Sequence, residues 1–234
     1  MMGDEFAFHF NLVHGRCVGV CIPTEVDDRL LDVLFPEERT LVSALAPARR
    51  PSWVAGRIAL RQAFRDLGLE PGPILMNRHG APDLPPDLAG SISHKKTLAV
   101  GLAARAENRT CLGVDLEDIP PLPASVEEAR AQARPDIRAR VLTKDELAQL
   151  ERVPEQARRR QVLLHFSLKE ALYKALHPLV IRHVGFHEAS VTPLPDGGVR
   201  VTLSLSEDQG TFDAECTWTE IQRHFLTTAK VRRR

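Results

Sequence analysis

The chain has 234 residues, 43% of them hydrophobic, which is enough for one sizeable domain or two small ones with a real core. Its 31 Lys and Arg balance 31 Asp and Glu, so no global field marks it as a nucleic-acid binder or as a protein held on an acidic membrane. Any anion must therefore be bound locally. The opening MMGDEFAFHF is acidic, without a basic run leading into an apolar one, and no stretch reaches membrane-span length, so a cytoplasmic protein is expected.

Cys17 and Cys21 in CVGVC, with Cys111 and Cys216 alone, complete no zinc set, and buried reduced thiols are expected. Residues 16–22, RCVGVCI, read as a first strand, and acidic residues 25–32 lead into a helix that ends at the Leu34-Phe35-Pro36 break. Residues 36–68 read as two helices broken at Pro47 and Pro51 and closed by Gly68. The Pro- and Gly-rich residues 71–90 read as loop. Strands are expected at Thr97 to Ala104 and in CLGVDLEDI, joined as a hairpin by the turn ENRT.

The proline-rich IPPLPAS is the candidate boundary, dividing residues 1–118 from 119–234 with a site between them. Helices follow at Val126 to Arg134, in TKDELAQLERV, where Thr143 and Glu146 form a capping-box pattern, and in FSLKEALYKAL. Strands close the chain in VGFHEASVTPL, in VRVTLSLS after a PDGG turn, and in FDAECTWTEI, ahead of a basic VRRR tail. The expected class is α+β and pseudo-duplicated, each half having helices packed on an antiparallel sheet.

Three clusters can carry chemistry. In GVDLED, strand alternation puts Asp115 and Glu117 on one face, where they repel and raise each other's pKa unless a cation sits between them. A few oxygen ligands suit Mg²⁺, which takes its remaining ligands from water and substrate phosphates; a solvated strand end is the alternative. In FSLKEALYKAL, Leu168, Ala171, Leu172, Ala175 and Leu176 form a core face. Glu170 lies roughly opposite, in a stripe with Phe166, Tyr173 and His177. Glu170 and Lys174 at i, i+4 read as a surface ion pair worth about 0.3–0.5 kcal/mol, or as a partly desolvated carboxylate sharing a metal with Asp115 and Glu117. The third cluster is basic: Arg57, Arg61 and Arg65 recur at i+4, with Arg49 and Arg50 before the helix start, so the row asks for an anion or for carboxylate partners. Ser93 and His94 in SISH can donate to phosphate, although a lone His at a turn is more often structural.

Taken in chain order these motifs resemble the 4′-phosphopantetheinyl transferase superfamily. The resemblance rests on Gly113, Val114, Asp115 and Glu117; on Phe166, Lys169, Glu170, Ala171 and Lys174 about fifty residues later; on Ser91, Ser93 and His94; and on Arg49, Arg50 and Ala55-Gly56-Arg57. It covers roughly residues 36 to 192 and is similar to the monomeric two-subdomain, enterobactin-type subgroup that primes nonribosomal peptide and polyketide synthases. Phe166 stands where many members have Trp, and NRHGAP carries His79 where the family has lysine, with Arg78 beside it.

The resemblance implies transfer of the phosphopantetheine arm of coenzyme A to a serine of an apo acyl or peptidyl carrier protein, with release of 3′,5′-ADP. It further implies Mg²⁺ or Mn²⁺ on Asp115, Glu117 and Glu170, and Glu170, directly or through a metal-bound water, as the serine's base. Lys169 or Lys174 would stabilise the leaving phosphate, Arg49, Arg50 and Arg57 would grip the 3′-phosphate, and Ser93, His94 and either Arg78 or His79 would contact phosphates. Two rivals share these residues: a Mg²⁺-dependent hydrolase of coenzyme A or a related nucleotide, and a non-catalytic coenzyme A-sensing module.

Overall fold

The computed structural model of the protein describes residues 6–107, 109–121, 136–206 and 209–234. The chain runs β1 (Phe6–Leu12), β2 (Gly15–Cys21), α1 (Asp28–Asp32), α2 (Pro36–Ala44), α3 (Arg50–Arg65), β3 (Leu75–Met76), β4 (Pro82–Asp83), β5 (Leu88–Lys95), β6 (Leu98–Arg105) and β7 (Cys111–Asp118). It continues with α4 (Arg138–Val141), α5 (Lys144–Leu150), α6 (Glu155–Val180), β8 (Ala189–Pro193), β9 (Gly198–Leu203), β10 (Phe212–Ile221) and β11 (His224–Arg233). The strands form two antiparallel sheets, ordered β1-β2-β6-β5 and β7-β11-β10-β9-β8, and β3 pairs with β4.

Alternation along the inner strands sets the layers. Val18, Val20, Ala99 and Ala103 of the first sheet pack against Val54, Ile58, Ala59 and Ala63 of α3. Phe225, Ala229 and Val231 of the second sheet pack against Leu168, Leu172 and Ala175 of α6. The opposite faces meet each other, with Cys17, Leu98, Val100 and Leu102 against Leu112, Val114, Leu116 and Leu226. The result is helix, sheet, sheet, helix, and each buried leucine contributes about 1.5–3 kcal/mol. One glycine per half lets the outer helix lie directly on a strand. A Cβ on Gly101 would meet the Leu60 nitrogen at 2.3 Å, and one on Gly113 would meet the Ala171 oxygen at 1.8 Å.

The α+β class and the helix-on-sheet duplication agree with the expectation, but several elements differ. ENRT is not a hairpin turn: β6 pairs with β2 and β5, and β7 pairs with β11. Both strands are buried on both faces, so alternation could not show which strands they pair with. β7 thus lies in the second sheet, although division at residue 118 would leave it with the first half.

SISH lies within strand β5 rather than at a turn, and β1 and β11 were not expected. The β10–β11 turn uses Gln222 and Arg223 at φ 42° and 66°, left-handed values reached without the Asn-Gly that would advertise a hairpin. The helix of the Lys-Glu motif begins at Glu155, eleven residues before Phe166. The capping box is present, Thr143 N–H donating to Glu146 Oε2 and Glu146 N–H to Thr143 Oγ1. The helix expected at Val126 to Arg134 lies outside the described residues. All four cysteines are free, but only Cys17 and Cys216 are buried and Cys21 is exposed.

Candidate active site

Strands β5 and β7, the facing edges of the two sheets, are stitched by side chains. Residues 91, 93 and 95 of β5 alternate with those that face α3, and each reaches β7. Ser91 Oγ accepts from the Val114 N–H (3.1 Å), Ser93 Oγ donates to Asp115 Oδ1 (3.0 Å), and Lys95 Nζ lies 2.7 and 2.6 Å from the two oxygens of Glu117. From the other side α6 presses on β7 at Gly113. This close approach brings Lys174 Nζ to Asp115 Oδ1 (2.9 Å) and the Val114 carbonyl (2.8 Å), and Ser167 Oγ to Asp115 Oδ2 (2.9 Å). Thr227 of β11 in turn donates to the Ser167 carbonyl (3.0 Å).

Asp115 and Glu117 are buried. Glu170 is half-buried and, among the described residues, has no hydrogen bond or ion pair. Burial and then the Asp115 charge raise its carboxyl pKa, Lys174 opposes this, and Glu117 raises it further. Glu117 is raised chiefly by burial, against the Lys95 contact. The three carboxylates therefore act on one another across the β7–α6 contact. Beside them, partial burial and then the charges of Lys174, Arg49, Lys95 and Arg57 hold the exposed His94 imidazole below its usual range. Carboxylates and cations are thus interleaved here, Lys174 on Asp115 and Lys95 on Glu117, a mixture that can take an anion together with a divalent cation.

A cavity of about 430 Å³ opens next to Glu170, lined by Tyr173, His183, Val184, Phe186 and Arg140 among others, a size that suits a small-molecule chain. Tyr173 also packs against His177 (5.5 Å between ring centroids), which meets His79 of the β3–β4 loop edge-on at 4.7 Å. The tip of the first half thereby touches the helix that carries Glu170.

Two family models cover the chain: the 4′-phosphopantetheinyl transferase N-terminal domain over residues 37–104 and the 4′-phosphopantetheinyl transferase superfamily over residues 111–229. The chain belongs to the 4′-phosphopantetheinyl transferase superfamily. It is 35% identical over 178 residues to 4′-phosphopantetheinyl transferase Svp of Streptomyces mobaraensis, covering 75% of this chain and 67% of that one. It is 30% identical to 4′-phosphopantetheinyl transferase Npt of Nocardia iowensis, covering 77% and 73%. A solved structure, the Chronobacterium ammoniagenes ACPS-CoA complex, is 19% identical with a TM-score of 0.40 over 53% of this chain and 98% of that one.

Within this superfamily member several expected site residues are engaged elsewhere. Lys169 is buried, and its three N–H donors go to Glu146 Oε2 (2.6 Å), the Val141 carbonyl (2.8 Å) and the Phe186 carbonyl (3.0 Å), so it faces the protein rather than a phosphate. Arg50 donates to the Leu45 and Ser43 carbonyls at 3.0 and 2.9 Å and closes the C-terminal end of α2. The arginine row is not one anion site. Arg61 pairs with buried Glu38, and exposed Arg65 lies 3.5 Å from Glu70. Arg57 is buried with its guanidinium 3.8 Å from the Trp53 ring centroid, and burial brings its pKa down to about 10. Arg49 is exposed. Ser93 spends its proton on Asp115, and Arg78 donates to His79 Nε2 at 2.8 Å, leaving the rest of its guanidinium outward.

The donor set fits a hard cation: Asp115, Glu117 and Glu170 supply oxygens only and repel one another. They are not gathered beforehand, because no three His, Cys, Asp or Glu among the described residues already form a metal-holding group. Lys95 and Lys174 sit on two of the three instead. Lys95, Ser167 and Thr227 were not foreseen. The Ser-x-Ser-x-Lys alternation of residues 91–95 was the signal for Lys95, and Ser167 and Thr227 carried none.

Proposed function

We infer that the chain is a 4′-phosphopantetheinyl transferase that moves the phosphopantetheine arm of coenzyme A onto a serine of an apo carrier protein, acting in the cytoplasm as a monomer. The observation that supports this is the contact of Asp115 with Lys174 and of Glu117 with Lys95, beside the half-buried Glu170, in a chain of this family.

In the reaction the serine oxygen bonds to the phosphorus that bears the pantetheine. The bond from that phosphorus to the bridging oxygen breaks, and 3′,5′-ADP leaves with that oxygen and its electrons. Glu170, half-buried and with no hydrogen-bond partner among the described residues, would take the serine proton. Lys174, 2.9 Å from Asp115, would hold the charge that gathers on the leaving phosphate. Arg49 and Arg57, whose charges both act on His94, would grip the 3′-phosphate, with Arg78, which donates to His79, as a further phosphate contact. The cavity beside Tyr173 and Phe186 is the place for the pantetheine arm. Asp115, Glu117 and Glu170 would hold Mg²⁺, which supplies charge neutralisation for the pyrophosphate.

Incubating the protein with coenzyme A, Mg²⁺ and a panel of apo carriers from fatty-acid, polyketide and peptide systems tests the reading. A carrier that gains the mass of one phosphopantetheine arm supports it. Release of 3′,5′-ADP with no carrier present, and no mass gain on any carrier, would instead make the protein a hydrolase.

A further inference from the structure

Lys95 closes the β5 end of the seam with both oxygens of Glu117 within 2.7 Å of its ammonium, so it covers the carboxylate that a divalent cation would need. The Glu117 side chain is 8% exposed and that of Lys95 is 29% exposed. The anion is therefore locked in the protein while the cation sits at the rim. An ammonium on a flexible four-carbon stem can leave such a contact without moving the strand. Its charge also acts on His94 together with those of Arg49, Arg57 and Lys174, so a released Lys95 remains on the anion side of the site.

We propose that Lys95 is a tethered counter-ion that holds the Glu117 carboxylate before metal binding, competes with the divalent cation for it, and once displaced turns toward the phosphate-bearing substrate. This rests on the transferase reading and adds a residue that sets its metal affinity. Without a competing cation the buried Glu117 and its neighbour Asp115 would repel each other, and with one the metal must displace it. Lys96 provides an internal comparison: it carries the same charge one residue on, is 69% exposed, and lies 3.1 Å from Asp118 instead.

The test titrates Mn²⁺ alone into the full chain at pH 8 and counts free Mn²⁺ by electron paramagnetic resonance. Lys95→Met is expected to bind Mn²⁺ about threefold to fivefold tighter than wild type, the range set by a partly exposed ion pair. Lys95→Arg and Lys96→Met are expected to stay within about twofold of wild type, since one keeps the competitor and the other never touched Glu117. Should Lys95→Met fold poorly, Lys95→Gln, which can still donate to Glu117, is expected to show a smaller gain in the same direction, and a larger Mn²⁺-induced rise in Tm than wild type. Unchanged or weaker binding in both Lys95→Met and Lys95→Gln overturns the proposal, as does an equal gain in Lys96→Met, which would reduce the effect to net charge. Wild-type protein that binds no Mn²⁺ overturns the metal reading itself, an outcome distinct from the others.

Discussion

Lys169 and Glu170 are adjacent in the chain and have opposite surroundings. Lys169 donates three hydrogen bonds inside the protein, one of them to the buried Glu146, which also accepts from the Val191 and Thr143 N–H groups. Removing one member of such a pair strands the other, at a cost of about 3–5 kcal/mol. Lys169→Met should therefore lower the urea midpoint sharply, and adding Glu146→Gln should recover part of the loss. A variant of full stability and no transfer would return Lys169 to the catalytic set. Among the described residues Glu170 has no partner to strand. Glu170→Gln should leave the melting temperature no lower than wild type while transfer falls by about 10² to 10⁴, the usual weight of a general base. A fall in Tm together with retained transfer would contradict both roles.

At the scale of elements, the contact that decides the site is α6 on β7. Gly113 permits it: the Ala171 oxygen stands where its Cβ would be, and the helix backbone at Ala175 lies 3.0 Å from the same point. Gly113→Ala must push α6 off the strand, at about 1–3 kcal/mol or more for overpacking. The same displacement pulls Lys174 and Ser167 away from Asp115. The expected result is a lower Tm together with a transfer loss greater than the unfolded fraction explains, measured by melting and by carrier labelling below the transition. Unaltered transfer in a folded Gly113→Ala protein would mean that the close approach does not position the site. The glycine of the Gly-Val-Asp motif thus serves helix packing, and its conformational freedom is not what is used.

Across the whole molecule, His14 ties the β1–β2 turn of one half to β11 of the other. Its Nδ1 lies 2.8 Å from Thr228 Oγ1 while its side chain is 1% exposed. Burial pushes its pKa from 6.5 down to about 4, against the attraction of Glu215. Between these values the unfolded chain binds a proton that the folded chain refuses, so stability rises with pH across this window and is lost as pH falls from 6.5 toward 4. The loss totals about 3 kcal/mol, of which about 2 falls by pH 5. His14→Gln, which can keep the Thr228 contact without titrating, should flatten this part of the profile in urea unfolding at pH 7.5 and 5. An unchanged slope would assign it to other groups.

Local and periodic features are legible along the chain. The capping box at Thr143, the glycine-bounded helices and the alternating Asp115 and Glu117 each depend on residues a few positions apart. Strand β11 is not legible in this way, because its turn places Gln222 and Arg223 in left-handed backbone without the residues that favour it. The sequence by itself determined the α+β class and the family, and it set Asp115 and Glu117 on one strand face. Only the tertiary structure decided which cation meets which anion. Lys169 and Lys174 lie on one helix about 140° apart, so one turns into the protein against Glu146 and the other toward Asp115. Lys95 finds Glu117 only because two sheet edges come together. Long charged side chains choose partners by distance in space, which the order of residues along the chain does not contain.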